Sequence, residues 1–470
     1  HFYSCNAVME HKRQILVALV GLQWGDEGKG KIVDEFAAYA SQLNGGKRVV
    51  VARIQGGTNA GHTVYVSDKN GQLIKQVTHA MPTGAMCNAD IAIGPMVAFD
   101  PLAFLQEVNQ AREQQGYNGR ILISERTGIL LPYHAALDKS SELNEQSSIG
   151  STQRGIGQFY MDNANRRTRI TFDDYISDHF SKKLEEVLAL KRGQLEEAGV
   201  WHPGYKEEIA ALHDAARREL QGNGERLEYR LRESMNRGDS IIIEGAQGTG
   251  LDVDMGDIPY TTSSHLLAPN LISSLALPRR AFTILGIEKI YPTRVGKGEM
   301  PTLDSDFDAV VVPNAGEFGA STGRRRRAGY PDWVFTRRSA FLNDCDGSIL
   351  TRVDNAQDMD LKVCTAYQLP NGEITEEVPL HLEGVRPVYL DKKFKYHLLD
   401  GPKDLSKPEQ VHAQLKSVRA GYVKEGLIGL PRELQCFVCA REEYTRCPTI
   451  GISIGPARGE TIYTKPIMNG

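Results

Sequence analysis

Gly21-Leu22-Gln23-Trp24-Gly25-Asp26-Glu27-Gly28-Lys29-Gly30-Lys31 follows the apolar run Ile15–Val20 and precedes Ile32-Val33-Asp34-Glu35-Phe36. A strand therefore feeds a glycine-rich turn that opens a helix. Such a turn suits phosphate, because glycines let the backbone come close and the free N–H groups of a helix N-terminus point at the anion. Lys29 and Lys31 add cationic charge. The run lacks the Gly-Lys-Ser/Thr ending of the common phosphate loop. Asp26 and Glu27 inside the loop would repel phosphate unless one holds a metal ion or takes a proton, which points to chemistry and not binding alone.

Outward from this stretch, short β-branched runs recur, each closed by glycine or a polar turn: Val49–Ile54, Ile91–Ile93, Ile121–Ile123, Ile241–Ile243, Phe282–Leu285 and Val310–Val312. Continuous apolar runs of this kind predict an α/β fold, a large, mostly parallel central sheet with helices on both faces and a P-loop-like phosphate loop. From about 173 to 238 the period changes to helical. Phe180, Leu184, Val187, Leu188, Ile209, Leu212 and Leu220 recur at three-to-four spacing, broken at Trp201–Gly204 and Gly222–Gly224. This reads as a helical subdomain inserted between two strands of one sheet, within a single unit spanning 13–470. Residues 1–12 read as an N-terminal extension, with Met9 inside it as the natural start. The polar stretch 370–425, with Pro370, Pro387, Pro402 and Pro408, reads as mixed surface structure.

The chain has 470 residues, 41% hydrophobic and 24% charged, with a formal net charge of −4 that offers no general attraction to nucleic acid or an anionic membrane. No apolar stretch approaches the roughly 18 residues that span a bilayer. Seven scattered cysteines fit reduced cytosolic thiols. Cys436, Cys439 and Cys447 lack a fourth zinc ligand and read as buried thiols in a strand.

Gln55-Gly56-Gly57-Thr58-Asn59-Ala60-Gly61-His62-Thr63 follows the second expected strand. Strand-end loops of a parallel sheet converge at one edge, so His62 could face Asp26 across a ligand as an acid/base pair. Ser151-Thr152-Gln153-Arg154-Gly155-Ile156-Gly157, with Arg166 and Arg167 beyond it, and Glu244-Gly245-Ala246-Gln247-Gly248-Thr249, with Thr261 and Thr262 beyond it, add further glycine-rich loops with hydroxyls. Gly319-Ala320-Ser321-Thr322-Gly323-Arg324-Arg325-Arg326-Arg327 is the densest positive charge. Guanidinium groups match carboxylate and phosphate bidentately, so small anions suit it better than nucleic acid. Thr351-Arg352-Val353-Asp354 resembles the motif by which GTPases read guanine, where the aspartate accepts from the ring N–H and the exocyclic amine. Ile452-Ser453-Ile454-Gly455-Pro456 reads as a closing small-residue loop.

In this order, Gln-Trp-Gly-Asp-Glu-Gly-Lys-Gly-Lys, Gly-Gly-x-Asn-Ala-Gly-His-Thr, Glu-Gly-Ala-Gln-Gly-Thr and Gly-Arg-Arg-Arg-Arg resemble the adenylosuccinate synthetase family, from about Gln14 to Thr464. The resemblance implies a cytoplasmic, homodimeric ligase of AMP biosynthesis that uses GTP and Mg2+ to join IMP to L-aspartate through a 6-phosphoryl-IMP intermediate. It implies that Asp26 takes the N1 proton and, with the Gly61 carbonyl, ligates Mg2+. His62 would stabilise the phosphoryl group in transit, with Lys29 and Gln247 completing the catalytic set. The triphosphate would lie against Gly25, Asp26, Glu27, Gly28, Lys29, Gly30 and Lys31, against Gly61, His62, Thr63 and Arg326, and at its base against Arg352, Asp354, Ser453 and Gly455. IMP would meet Asn59, Ala60, Thr152, Gln247, Thr262 and Arg324, and Arg166 of the partner subunit. Ala320, Ser321, Thr322, Arg324 and Arg326 would bind L-aspartate.

The chain departs from the family pattern at Gln153–Asn163, at Gly94-Pro95-Met96, at Arg352 in place of lysine and at Ile454 in place of threonine. A phage relative of the family aminates dGMP and can spend ATP. Asp26 favours IMP over that reading, while the altered loops favour the other side. A GTP-binding switch, with slow turnover independent of IMP, and a nucleic-acid binder using Arg324–Arg327 are the alternatives from other classes.

Overall fold

The computed structural model describes residues 14–43, 45–68, 72–143, 150–319, 323–400 and 408–464, so the expected extension at 1–12 lies outside them. Its frame is an eleven-stranded sheet. Leu16–Gly21, buried at every position, is its centre, flanked in parallel by Thr283–Lys289 and Ser240–Glu244. Gly347–Thr351 and Thr449–Ser453 extend one side. Val49–Gly56, Asp90–Phe99, Ile121–Ser124 and Gly224–Glu225 extend the other, and the short Gly128–Ile129 pairs with the end of Asp90–Phe99. Among the described residues of this sheet, only the edge strand Thr461–Tyr463 runs antiparallel.

Alternation explains why the first strand is apolar throughout. Val17 and Leu19 pack on one face with Ile32, Val33 and Phe36 of the helix Lys29–Leu43. Leu16, Ala18 and Val20 pack on the other with Leu227, Leu231, Leu271 and Ile272 from two further helices. Each fully buried aliphatic side chain contributes about 1.5–3 kcal/mol of transfer free energy. A polar residue on either face would forfeit it, so both faces are covered as a parallel sheet requires.

The stretch after Gly128–Ile129 forms the helices Phe172–Ile176, Phe180–Glu197, Tyr205–Leu220 and Leu227–Arg237. Phe180, Leu184, Val187, Leu188, Ile209 and Leu220 are buried in one cluster with Phe99 and Phe104 of the sheet side. Leu212, expected on that stripe, is 52% exposed.

Several expectations are corrected. Val310–Val312 lies in the helix Ser305–Ala315, because Asp304 caps the Asp306 and Phe307 amides and Gly316 closes the other end at φ 62. Cys436 and Cys439 lie on the helix Arg432–Thr445 and not in a strand; Cys439 is exposed and Cys447 buried. Thr449–Ser453 is a strand and only the residues after it form the loop. Within 370–425, Ile374–Thr375 and Arg386–Tyr389 flank Cys364–Gln368 in a small antiparallel sheet, and Pro408–Glu425 is a helix.

Candidate active site

The loops leaving the carboxyl ends of Leu16–Gly21, Val49–Gly56, Ser240–Glu244, Gly347–Thr351 and Thr449–Ser453 meet around one cavity of about 960 Å3. This edge is where parallel α/β sheets bind ligands.

The phosphate loop is built by its own acid. Gly25, Asp26 and Gly28 adopt left-handed backbone at φ 92, 61 and 90, a conformation cheap only for glycine. Glu27 turns inward, fully buried, and accepts the Gly25 amide at 2.8 Å and the Gln23 amide at 3.2 Å. Lys29 donates to its other oxygen at 2.5 Å. Thr351 Oγ1 binds the Glu27 carbonyl at 2.6 Å and Thr249 Oγ1 the Gly21 carbonyl at 2.8 Å. Of the two acids, then, Glu27 spends its carboxylate on the loop, which leaves only its backbone to meet a phosphate. Asp26 faces the cavity with a 26% exposed side chain. Lys31 lines the cavity but is committed to the C-terminal strands, donating to Ser453 Oγ at 2.7 Å, the Gly455 carbonyl at 2.8 Å and Thr461 Oγ1 at 3.0 Å.

His62 also lines the cavity. Its Nδ1 is hydrogen-bonded to Glu244, which is fully buried and takes the Thr83 amide at 2.8 Å and hydroxyl at 3.0 Å on its second oxygen. In register, Glu244 lies beside Arg53, also fully buried. Burial alone would raise the Glu244 carboxyl, but His62 and Arg53 hold it below its ordinary value. Burial pulls the His62 imidazole down, and Arg53 and Lys29 push the same way against Glu244. The pair therefore rests as carboxylate and neutral imidazole, with Nδ1–H donating to Glu244 and Nε2 the nitrogen left to accept a proton.

A second polar chain fixes Asp26. Arg326 Nε donates to Asp26 Oδ2 at 2.9 Å, and its guanidinium also pairs with the fully buried Glu317. Glu317 accepts from Lys289 Nζ at 3.2 Å and the Tyr291 hydroxyl at 2.9 Å. Burial would raise this carboxyl, yet Lys289, Arg352 and Arg326 hold it well below the carboxylate range. Burial lowers the Lys289 ammonium to about 8. With two guanidinium groups sharing its counter-ion, Lys289 is the cation that burial can discharge.

The cavity lining brings together Gly25, Asp26, Gly28, Lys29, Gly30, Lys31, Asn59, Ala60, Gly61, His62, Thr63, Thr152, Gln247, Thr262, Arg324, Arg326, Arg352, Asp354, Ser453 and Gly455. Gln247 is held at φ 50, and among the described residues neither atom of its buried amide has a partner, as for a group that awaits a ligand. Arg166 is exposed and away from this lining. Ala320, Ser321 and Thr322 lie outside the described residues. The Tyr160 hydroxyl donates to the Met96 carbonyl at 2.6 Å and so ties the stretch Gln153–Asn163 to Gly94-Pro95-Met96. Sequence reasoning gave no role to Glu244, Arg53, Lys289, Glu317 or Arg419. Their signal was charge inside fully buried segments, as in Ser240–Glu244 and Thr283–Lys289.

The family model for adenylosuccinate synthetase matches residues 18–462. The chain belongs to the adenylosuccinate synthetase family. It is 35% identical over 459 residues to adenylosuccinate synthetase of Geotalea uraniireducens, covering 96% of this chain and 98% of that one. Its identity to the Vibrio cholerae protein of the same name is 36% over 463 residues, covering 95% and 97%. Among solved structures, fully ligated adenylosuccinate synthetase from Plasmodium falciparum superposes with a TM-score of 0.81 at 26% identity, covering 96% of this chain and all of that one. The fold alone is shared with the cyanophage S-2L succinoaminodeoxyadenylate synthetase bound to dGMP and dATP, at a TM-score of 0.58, 17% identity and 96% and 95% coverage. Within the family frame, Asp252, Asp254 and His265 form an acidic group outside the cavity lining, where Asp252 is already occupied by the Asp254 and Met255 amides at 3.0 Å.

Proposed function

We propose that this protein is an adenylosuccinate synthetase, a ligase that forms the C–N bond between IMP and L-aspartate at the expense of GTP. The observation that carries the reading is the placement of Asp26 and His62 on one cavity, Asp26 held by Arg326 and His62 by the buried Glu244 carboxylate, in a chain that matches the family over residues 18–462. An oxo group on a purine is a poor leaving group and must first become a phosphate ester. Asp26 takes the proton from N1, which makes O6 the nucleophile that attacks the γ-phosphorus and expels GDP. The aspartate amine then attacks C6 and inorganic phosphate leaves. His62 Nε2, backed by the Glu244 carboxylate, accepts a proton and returns it to the departing phosphate.

Mg2+ fits this site. Asp26 is the acid of the loop that keeps an oxygen facing the cavity, and Mg2+ takes one or two carboxylates together with substrate phosphates. Asp26 and the Gly61 carbonyl would hold the ion, which would supply charge neutralisation between phosphates. Arg352, Asp354, Ser453 and Gly455 would take the guanine end, and Arg324, Arg326 and the loop 320–322 the aspartate carboxylates. Exposed Arg166 would reach the IMP site of a second subunit in a homodimer. No helix among the described residues is long and apolar enough to cross a membrane.

The test is phosphate release with L-aspartate and Mg2+, crossing GTP or ATP with IMP, GMP or dGMP. Turnover with IMP is expected. Turnover with dGMP and not IMP would overturn the reading in favour of the phage-type reaction. Asp26→Asn should abolish turnover while nucleotide binding stays nearly intact, and unchanged turnover would remove Asp26 as the base.

A further inference from the structure

The helix Pro132–Glu142 brings Asp138, Ser141 and Glu142 to the cavity lining, on one face because they stand three and four positions apart. Asp138 is the buried member, 9% exposed. Its carboxylate reaches both ends of the loop that carries Thr152: Oδ1 accepts from the Ser151 hydroxyl at 3.0 Å and Oδ2 from the Gly155 amide at 2.8 Å. The Ser151 Oγ in turn accepts from the Gln153 amide at 3.0 Å. An acid on the wall of the cavity is thus turned, with both oxygens, onto donors of the neighbouring loop.

The arc between those two contacts is one the chain would not keep unaided. Gln153 sits at φ 56, where a residue with a Cβ is strained, and Gly155 at φ 79. Gly155 is pressed against the same helix, for a Cβ there would stand 2.5 Å from the Ala135 nitrogen and 2.6 Å from the His134 carbonyl carbon. It opens the helix Ile156–Ala164, whose buried Asp162 accepts from the Tyr133 hydroxyl at 3.0 Å. Each helix therefore carries an acid that grips the other segment, and Thr152, Ile156 and Gly157 come to the cavity wall from this tied pair.

We propose that Asp138 is a positioning residue for the monophosphate substrate: it holds the loop 151–155 in the strained arc that presents Thr152, and acts on the substrate only through that loop. The inference rests on the reading that this loop meets IMP. A loop that has left the arc does not bind, so the apparent affinity for IMP falls with the fraction of molecules that keep it. Asp138 works by its two contacts and not by its charge. Asparagine can remake both, with Oδ1 on the Gly155 amide and Nδ2 donating to the Ser151 Oγ, which still accepts the Gln153 amide. Alanine remakes neither.

The deciding measurement is KM of the whole enzyme for IMP, GTP and L-aspartate, each with the other two saturating. Asp138→Ala should raise the IMP KM by about tenfold or more and leave those for GTP and L-aspartate within about threefold. Asp138→Asn should stay within about threefold of wild type for all three. Gln153→Gly relieves the strain at that position and, added to Asp138→Ala, should bring the IMP KM back by about threefold or more, a recovery that a side chain serving only to pack the two helices would not show. An unchanged IMP KM in a folded Asp138→Ala protein would overturn the proposal, as would an equal rise for all three substrates. So would an Asp138→Asn protein as impaired as the alanine variant, since the charge itself would then be in use. Should Asp138→Ala not fold, Ser151→Ala decides: it removes one of the two ties and should raise the IMP KM alone by about threefold or more, and no rise would overturn the proposal. Wild-type turnover with dGMP in place of IMP would sink the IMP reading and leave this inference to be read on the dGMP KM; wild-type turnover with no purine monophosphate would take down both.

Discussion

Glu244→Gln tests the acid/base pair with the smallest change of shape. The carboxylate accepts on both sides, from His62 Nδ1 on one oxygen and from the Thr83 amide and hydroxyl, at 2.8 and 3.0 Å, on the other. Glutamine has one accepting oxygen and one donating NH2, so one side must change. Aimed at Thr83, the NH2 would face a peptide N–H and leave a buried donor unsatisfied, at a cost of about 1–3 kcal/mol. Aimed at His62, it asks only for the other tautomer: Nδ1 accepts and the ring proton moves to Nε2. The second arrangement should form. It takes from Nε2 the lone pair that receives a proton during turnover, and it removes the negative charge that steadies an imidazolium. A positioned acid or base contributes about 10²–10⁴-fold, so kcat should fall by about a hundredfold or more while KM for either nucleotide moves by less than about threefold. Phosphate-release kinetics measure both, and thermal unfolding checks that the loss is not one of folding. A folded variant with kcat within about threefold of wild type would refute the tautomer argument.

Gly248→Ala should damage the phosphate loop specifically, because its Cβ would lie 2.3 Å from Glu27 Oε1 and 2.7 Å from the Gly25 nitrogen; a rise of about tenfold or more in the triphosphate KM is expected from steady-state kinetics. Burial, with Arg217 acting in the same sense, pulls the His213 imidazole from 6.5 to about 4. Its folded pKa is depressed, so the unfolded chain binds the extra proton first, and the stability tied to this group is present above about pH 6.5 and lost as pH falls toward 4. That amounts to about 3 kcal/mol, so His213→Gln should flatten the acid limb of a melting-temperature profile between those values. Arg166→Leu should raise the IMP KM, and mixing it with Asp26→Asn should restore part of the activity once subunits exchange; no recovery after exchange is demonstrated would exclude a shared site.

The parallel sheet was legible because burial on both faces leaves no polar position to mislead: Ile15–Val20 and Ile241–Ile243 lie within a residue or two of their strands. Val310–Val312 failed because a three-residue β-branched run carries no period, and the decision belonged to the cap at Asp304 and the left-handed Gly316. Ile349 and Leu350 passed unnoticed for the same reason, in the short strand Gly347–Thr351. In the site, Asp26 and His62 stood out by their glycine-rich surroundings. What holds them did not, since Glu244 lies 182 positions from His62, and Glu317 lies 291 positions from Asp26, which it positions through Arg326. Such pairings are set by sheet order, which a linear pattern does not contain. Glu27 could not be told from Asp26 in sequence; which acid folds back onto the loop amides depends on left-handed backbone at Gly25, Asp26 and Gly28 around it.

The grip of Lys31 on Ser453, Gly455 and Thr461 spans more than 420 positions of chain. At a ribosomal pace of about 5–20 residues per second, roughly twenty seconds to a minute and a half separate synthesis of the lysine from synthesis of its partners. The strands that pair with Leu16–Gly21 are likewise more than 200 positions downstream, so both edges of the central strand, and the face that Leu227 and Leu271 cover, wait long after the helix Lys29–Leu43 has been made. An apolar segment waiting that long is a natural client for a holding chaperone, and nascent chains arrested before the final strands should carry a phosphate loop that is made but not yet set.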